Sequence, residues 1–301
     1  MTLILGQMAL LVCAGLVWQW LRPGGLDAAL TRKVLTGVVY HLLLPALVLL
    51  VLWQADLGLD SLRIALAASA GVLGALLLSA ALCRVCGMPG PATGAAMLAA
   101  AFPNATYLGL PVLEGLFGPW ARGIAIQYDL FACTPLLLTV GILVAQRLGD
   151  GGRFVWYGFL KVPALWAALL ALALNMGGVA MPELLLGTLE HLSSGVVPLM
   201  LLSLGLSLRI DVLRSRRVGA LLPIVLIQLF LMPLLVWGVA GGAGLEGEVL
   251  TAVVLEAAMP SMVLGIVICE RYGLDTGLFA AAVTVTTLLS FFTLPLWFVW
   301  V

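Results

Sequence analysis

Apolar residues run along this chain in stretches of about twenty, separated by short clusters of charge, glycine and proline. A bilayer core about 30 Å thick requires about 20 apolar residues to cross as a helix. Ten stretches meet that length, over residues 2–21, 34–53, 63–83, 92–117, 119–146, 158–179, 186–208, 218–240, 248–269 and 276–300. The shortest separation is Phe117-Gly118-Pro119, where Pro119 suits the first position of a new helix. The pattern predicts an all-α integral membrane fold of ten transmembrane helices. The first stretch lacks a basic leader and reads as a span rather than a cleaved signal peptide.

Composition narrows the solvent. Hydrophobic residues make up 63% of the 301 and charged residues 9%, with a mean hydropathy of +1.19, whereas soluble domains carry roughly 25% charge. Lipid is therefore the expected surroundings. The formal net charge of zero gives no reason to expect nucleic acid as a partner. The five cysteines are scattered through apolar runs, and the Cys83-x-x-Cys86 pair has no second pair or nearby histidine to make a metal site. No cofactor is expected.

The few charges orient the chain. With the amino terminus outside, the odd-numbered loops hold Arg22, Arg32, Lys33, Arg84, Arg147, Arg153, Lys161, Arg209, Arg214, Arg216, Arg217 and Arg271, and the even-numbered loops only Arg63 and Arg122. Basic residues accumulate on the cytoplasmic side, so both termini are expected outside the cytoplasm of an inner (plasma) membrane. Asp56, Asp60, Glu183, Glu190, Glu246 and Glu248 fall in the opposite loops. The longest polar gap, around residues 149–153, predicts a hinge between halves 1–150 and 151–301.

Those halves share their prolines. Pro45 and Pro198, Pro103 and Pro260, and Pro135 and Pro295 pair in order at nearly constant offset. Five spans per half is an odd number, so the second copy is expected to run inverted through the membrane. Inverted five-helix repeats are an architecture of secondary transporters, which hold substrate at the repeat interface.

Spans 4 and 9 are expected to be broken. Pro103 lacks the N–H that would bond the Ala99 carbonyl, Pro111 does the same to Tyr107, and Pro260 to Glu256. Such freed groups are tolerated at membrane depth only inside protein or along a cavity. A half-helix starting after the break presents N–H groups and a positive dipole end to an anion, and carbonyls ending the preceding half suit a cation. Pro103, Asn104, Thr106, Tyr107, Pro260 and Ser261 are therefore the candidate substrate-binding residues: an amide for a carboxylate from Asn104, a hydroxyl from Ser261, an aromatic wall or donor from Tyr107.

The string Pro103-Asn104-x-x-x-x-Gly109-x-Pro111 resembles the fourth-helix motif of the auxin efflux carrier family, in the bile acid/auxin transporter superfamily. Ala258-Met259-Pro260-Ser261, followed by Glu270-Arg271-Tyr272-Gly273-Leu274-Asp275, resembles its ninth-helix signature. The resemblance extends over the whole chain in span number, proline placement and length. It implies a scaffold bundle and a transport bundle whose crossover helices bind substrate, and it suggests a homodimer. Bacterial members are similar to permeases for dicarboxylates, and plant members export auxin. Ser261 departs from the family pattern, since larger amides often stand at that position.

Ionisable groups within spans are candidates for function. Glu256, one helical turn before Pro260, and Asp129 in span 5 are candidate carriers of a proton or sodium ion, with His41 in span 2 as a third. Asn175 and Gln228 are expected to tie helices together, and Ala67-Gly71-Ala75 to permit close packing. Intramembrane enzymes are disfavoured, since His41 and His191 are 150 residues apart, Asp129 has no partner aspartate, and no phosphate-binding loop is present. The expected function is secondary transport of a small organic anion by elevator-like or rocking movement. A sodium-coupled symporter of the bile-acid type, a channel and a receptor remain open alternatives.

Overall fold

The computed structural model describes residues 2–55, 57–149, 162–209 and 218–301. The expected hinge around residues 150–153 lies outside them, as do Asp56, Arg153, Lys161, Arg214, Arg216 and Arg217. The chain is all-helical: α1 (Thr2–Leu21), α2 (Ala28–Trp53), α3 (Leu59–Val85), α4 (Gly90–Ala101), α5 (Ala105–Phe117), α6 (Pro119–Leu148), α7 (Pro163–Met176), α8 (Glu183–Ser207), α9 (Leu221–Gly242), α10 (Gly247–Ala257), α11 (Gly265–Tyr272) and α12 (Thr276–Trp300). Among the described residues, seven are long and apolar enough to cross a membrane by length and composition: α1, α2, α3, α6, α8, α9 and α12. The chain is a multi-pass membrane protein.

The shorter helices follow from the prolines. The two stretches expected from sequence to be broken spans are each divided, into α4 and α5 at Phe102–Asn104 and into α10 and α11 around Pro260. Pro111 does not break its helix as expected. The preceding turn widens instead into a π turn over Ala105–Gly109, in which Leu110 N–H donates to the carbonyl of Ala105, five residues back. The same device precedes Pro45, Pro135 and Pro233: π turns over Val39–Leu43, Asp129–Cys133 and Ile227–Leu231 each end two residues before a proline. A proline inside an α-helix collides with the carbonyl four residues back, and one widened turn removes the collision while the neighbouring N–H groups stay bonded. Pro295, by contrast, lies inside uninterrupted helix.

The helices pack in two groups. In the first, α1 lies along α8, and α2 packs against α7 and α8. Gly15 and Gly205 bring α1 and α8 together so closely that a Cβ on Gly205 would stand 2.9 Å from Gly15 Cα, and one on Gly15 2.8 Å from Gly205 Cα. Gln19 Nε2 fastens the same pair by donating to the carbonyls of Gly205 (2.8 Å) and Leu208 (3.1 Å). Asn175 Nδ2 on α7 closes the end of α2 through Trp53 O and Ala55 O, both at 2.8 Å. Close backbones and amide-to-carbonyl bonds are the means of helix association in lipid. In the second group, α3 packs on α4 and α9, α9 on α10 and α12, and α12 on α4 and α11. Buried Ala67, Gly71 and Ala75 make the α3–α9 contact close, with Gly71 facing Val236 and Met232. The candidate site lies where this second group meets α2 and α8.

Candidate substrate and ion site

The two helix breaks meet back to back. Pro103 and Ser261 form an antiparallel bridge: Asn104 N–H donates to the carbonyl of Pro260, and Met262 N–H to the carbonyl of Phe102, both at 2.8 Å. Each interruption therefore satisfies the other, which is how non-helical backbone persists at membrane depth. The carbonyl of Ala99, which Pro103 deprives of its helical donor, receives the hydroxyl of Ser261 at 2.6 Å. Ser261 N–H in turn donates to Thr286 Oγ1 on α12 (3.1 Å). On the other side, Gln228 Nε2 from α9 donates to the carbonyls of Met259 (2.8 Å) and Ala257 (3.4 Å), the helix end left open by Pro260.

Asn104 departs from this satisfaction. It is 1% exposed, yet its Nδ2 has no hydrogen-bond partner among the described residues. It stands at the head of α5 and lines a cavity of about 630 Å³ together with Tyr40, Tyr107 and, nearer the first turns of α2, Thr36, Lys33 and Arg32. Met200, Ser203 and Leu204 of α8 close one side, and Val263 to Glu270 of the α11 region the other. The volume lies in the range of small-molecule sites. Neither Arg32 nor Lys33 has an ion-pair partner among the described residues, so the mouth offers cations above a buried amide donor.

A narrower cleft of about 60 Å³ shares Asn104, Tyr40 and Tyr107 and continues to Thr106, Asp129 and Thr134. Asp129 is buried; it accepts hydrogen bonds from Thr106 Oγ1 and from Thr134 Oγ1, the latter at 2.9 Å. The π turn at residues 129–133 sets it within reach of both hydroxyls. Glu256 on α10 is completely buried, and neither carboxyl oxygen has a donor among the described residues. Its carboxyl group lies against the face of Gly109, where an added Cβ would come within 2.6 Å of Cδ. Two carboxyl groups thus flank one short segment, Ala105–Gly109: Asp129 through Thr106, and Glu256 through the bare face of Gly109.

The sequence matches the family described as membrane transport protein over residues 4–152 and 151–298. The chain belongs to this family, that of the auxin efflux carriers. An uncharacterized transporter of Methanothermobacter thermautotrophicus is 32% identical over 294 residues, 97% of this chain and 95% of that one. Uncharacterized transporters of Methanocaldococcus jannaschii, 28% identical over 208 residues (68% of this chain, 67% of that one), and of Escherichia coli, YfdV, 25% identical over 207 (66% and 65%), are further relatives. These relatives are transporters and not enzymes.

In this auxin efflux carrier family member, the residues expected from sequence divide by position. Asn104 and Tyr107 face the large cavity, and Thr106 and Asp129 the cleft behind it. Glu256 stands beside the same segment. Pro103, Pro260 and Ser261 are buried and form the crossover itself. The Ser261 hydroxyl, expected to face substrate, instead completes the backbone at Ala99, because Pro103 leaves that carbonyl without a helical donor. Ser261→Ala should therefore cost about 1–3 kcal/mol, the penalty of a buried acceptor left unpaired, read as a lower unfolding temperature, whereas Ser261→Thr should retain most of it.

His41 does not join the site. It is exposed on the face of α2 that carries Val34, Val38 and Leu42, and it lines neither of these cavities. Its neighbour Tyr40 takes the inward position. Lys33, Thr36 and Tyr40 recur at helical spacing on the cavity face, a signal present in the sequence but overshadowed by the titratable histidine.

Proposed function

We propose that this protein is a secondary transporter of a small organic anion, carrying a carboxylate across the bilayer at the Pro103–Ser261 crossover by alternating access. The observation that carries the proposal is the unpartnered Nδ2 of Asn104 at the head of α5, inside a 630 Å³ cavity whose mouth holds Arg32 and Lys33. A buried amide donor beside a helix start suits a carboxylate, and cations at the mouth raise the local anion concentration. Tyr40 and Tyr107 supply the wall for the apolar part of the substrate.

In this reading the chain has ten spans as two inverted five-helix halves, 1–150 and 151–301. The broken segments α4–α5 and α10–α11 are equivalent spans 4 and 9, and both termini lie outside the cytoplasm. The reciprocal pair of hydrogen bonds, Asn104 to Pro260 and Met262 to Phe102, has the local two-fold form that inverted halves would produce. The group of α3, α4 and α9 to α12, together with α5 and α6, which pack on each other, α6 also on α3, moves as one body, elevator-like, against α1, α2, α7 and α8. Glu256 and Asp129 handle a coupling proton or sodium ion: their positions on either side of residues 105–109 link the charge on the carboxyl groups to the half-helix that begins at Asn104.

The test is thermal stability of purified protein against malate, malonate, indole-3-acetate and a bile acid, since a ligand of the native state raises apparent stability. One of these carboxylates should stabilise the wild type, and Asn104→Ala should remove that shift. If none binds, or the variant responds like the wild type, the anion site is misplaced and a channel or receptor becomes the better reading.

A further inference from the structure

A second pair of cavities lies at the other ends of α2 and α8. The first, of about 530 Å³, is bounded by Ile4, Met8 and Leu11 of α1, Leu47 of α2, Ser194 and Leu201 of α8, and Pro111 and Glu114 of α5. It therefore sits between the same two helix groups as the Asn104 cavity: residues 29–40 of α2 and 200–204 of α8 line the one, Leu47 and residues 193–201 the other. The second, of about 700 Å³, lies against α3 and α6 and includes Gln54, Gln127 and Glu190. Arg122 borders both and is the one cation among the described residues lining either.

Arg122 is ion-paired to Glu114 through Nη2 and Oε1. Its Nε is buried and has no partner among the described residues, so the guanidinium has a donor to spare. Gln127, which is 6% exposed and lines the larger cavity, likewise has an unpartnered Oε1 among the described residues. Of the other carboxylates lining these cavities, Asp60 is paired to Arg63 at 2.9 Å, and Glu190 on α8 makes no ion pair with Arg122 among the described residues. Glu114 belongs to α5, the half-helix that starts at Asn104. One rigid element thus bears the amide donor at one end of the cleft and, near its other end, a carboxylate resting on an arginine.

We propose that Arg122 is a second carboxylate-binding point, serving the far opening of the cleft, and that Glu114 occupies it in place of substrate while the Asn104 cavity is open. Arginine binds carboxylates through paired N–H donors, and the Glu114 carboxylate already shows such a group seated there. When the two helix groups shift and the far cavity widens, an incoming carboxylate displaces Glu114 from Arg122 and is passed along α5 toward Asn104. The ligand class rests on the transport reading above; the presence of the site does not, and its test is independent of Asn104.

Glu114→Ala removes the atoms of an acetate ion from the arginine. In purified protein, Glu114→Ala should unfold at lower temperature than the wild type, and sodium acetate should raise its unfolding temperature by a few degrees beyond sodium chloride at equal ionic strength. The wild type, whose site is filled by its own side chain, should show no such gain, nor should Glu114→Ala/Arg122→Gln. Glu114→Ser, which vacates the same atoms, carries the same comparison should the alanine variant not fold. A response of equal size in wild type and variants, or none in either variant, overturns the proposal. Adding Asn104→Ala should leave the acetate response unchanged, so loss of the crossover site and loss of this one are separately visible.

Discussion

Gly205→Val is expected to abolish assembly of the protein, and Gly15→Val to do the same. The two α-carbons face each other where α1 meets α8, and what a side chain on either would strike is backbone: Val12 O and Gly15 Cα from one side, Leu202 O and Gly205 Cα from the other. Overpacking a core ordinarily costs about 1–3 kcal/mol because side chains yield; here no side chain can yield. Separating the helices would also pull Gln19 from the carbonyls of Gly205 and Leu208. Size-exclusion chromatography of detergent extracts should show loss of the monodisperse peak. Gly6→Val, on α1 with nothing within 4 Å of an added Cβ, should behave as wild type; failure of this control as well would indicate a general intolerance of α1 rather than a specific contact.

The second large effect is expected at Gly109. Alanine there would place Cβ 2.6 Å from Cδ of Glu256 and 2.5 Å from Oε1, with the carboxyl group enclosed on all sides. Gly109→Ala should be strongly destabilised and inactive. Glu256→Ala alone removes two buried acceptors that lack donors, so it should keep or raise the unfolding temperature, because an unpaired buried polar group is a cost. The double variant should recover the stability lost in Gly109→Ala but not transport, with a coupling of about 0.5–3 kcal/mol, as for residues in contact. If the two effects simply add, the contact is not what makes Gly109 necessary, and Glu256 would lose its place beside the crossover.

The residues whose types are rare in lipid were legible in the sequence. Pro103 and Pro260 announced the breaks, and Asn104, Asp129 and Glu256 stood out because a polar group in an apolar span needs a reason. Information carried between helices was not legible. Nothing local to Ser261 says that its hydroxyl completes a carbonyl 162 residues away. Nor does the sequence around Glu114 reveal that Arg122 folds back upon it across Gly118, whose φ of 94° turns the chain there. His41 drew notice through its chemistry, although helical phase turned it outward and Tyr40 inward. The prolines also show the limit of a local rule: Pro45, Pro111, Pro135 and Pro233 each announce an interruption, yet the chain passes them with one widened turn, whereas Pro103 and Pro260 divide their helices.

The crossover carries a consequence for biosynthesis. Phe102 O and Asn104 N find their partners only at Met262 and Pro260, roughly 158 residues later in the chain, and Ala99 O waits equally long for Ser261. At translation rates of about 5–20 residues per second, that interval is about 8–30 s. During it, α4 and α5 sit in or beside the insertion machinery with a raw gap between them that lipid cannot hydrate. The nascent first half should therefore be a client of whatever shelters polar backbone at the translocon, released only when α10 and α11 arrive to close the seam.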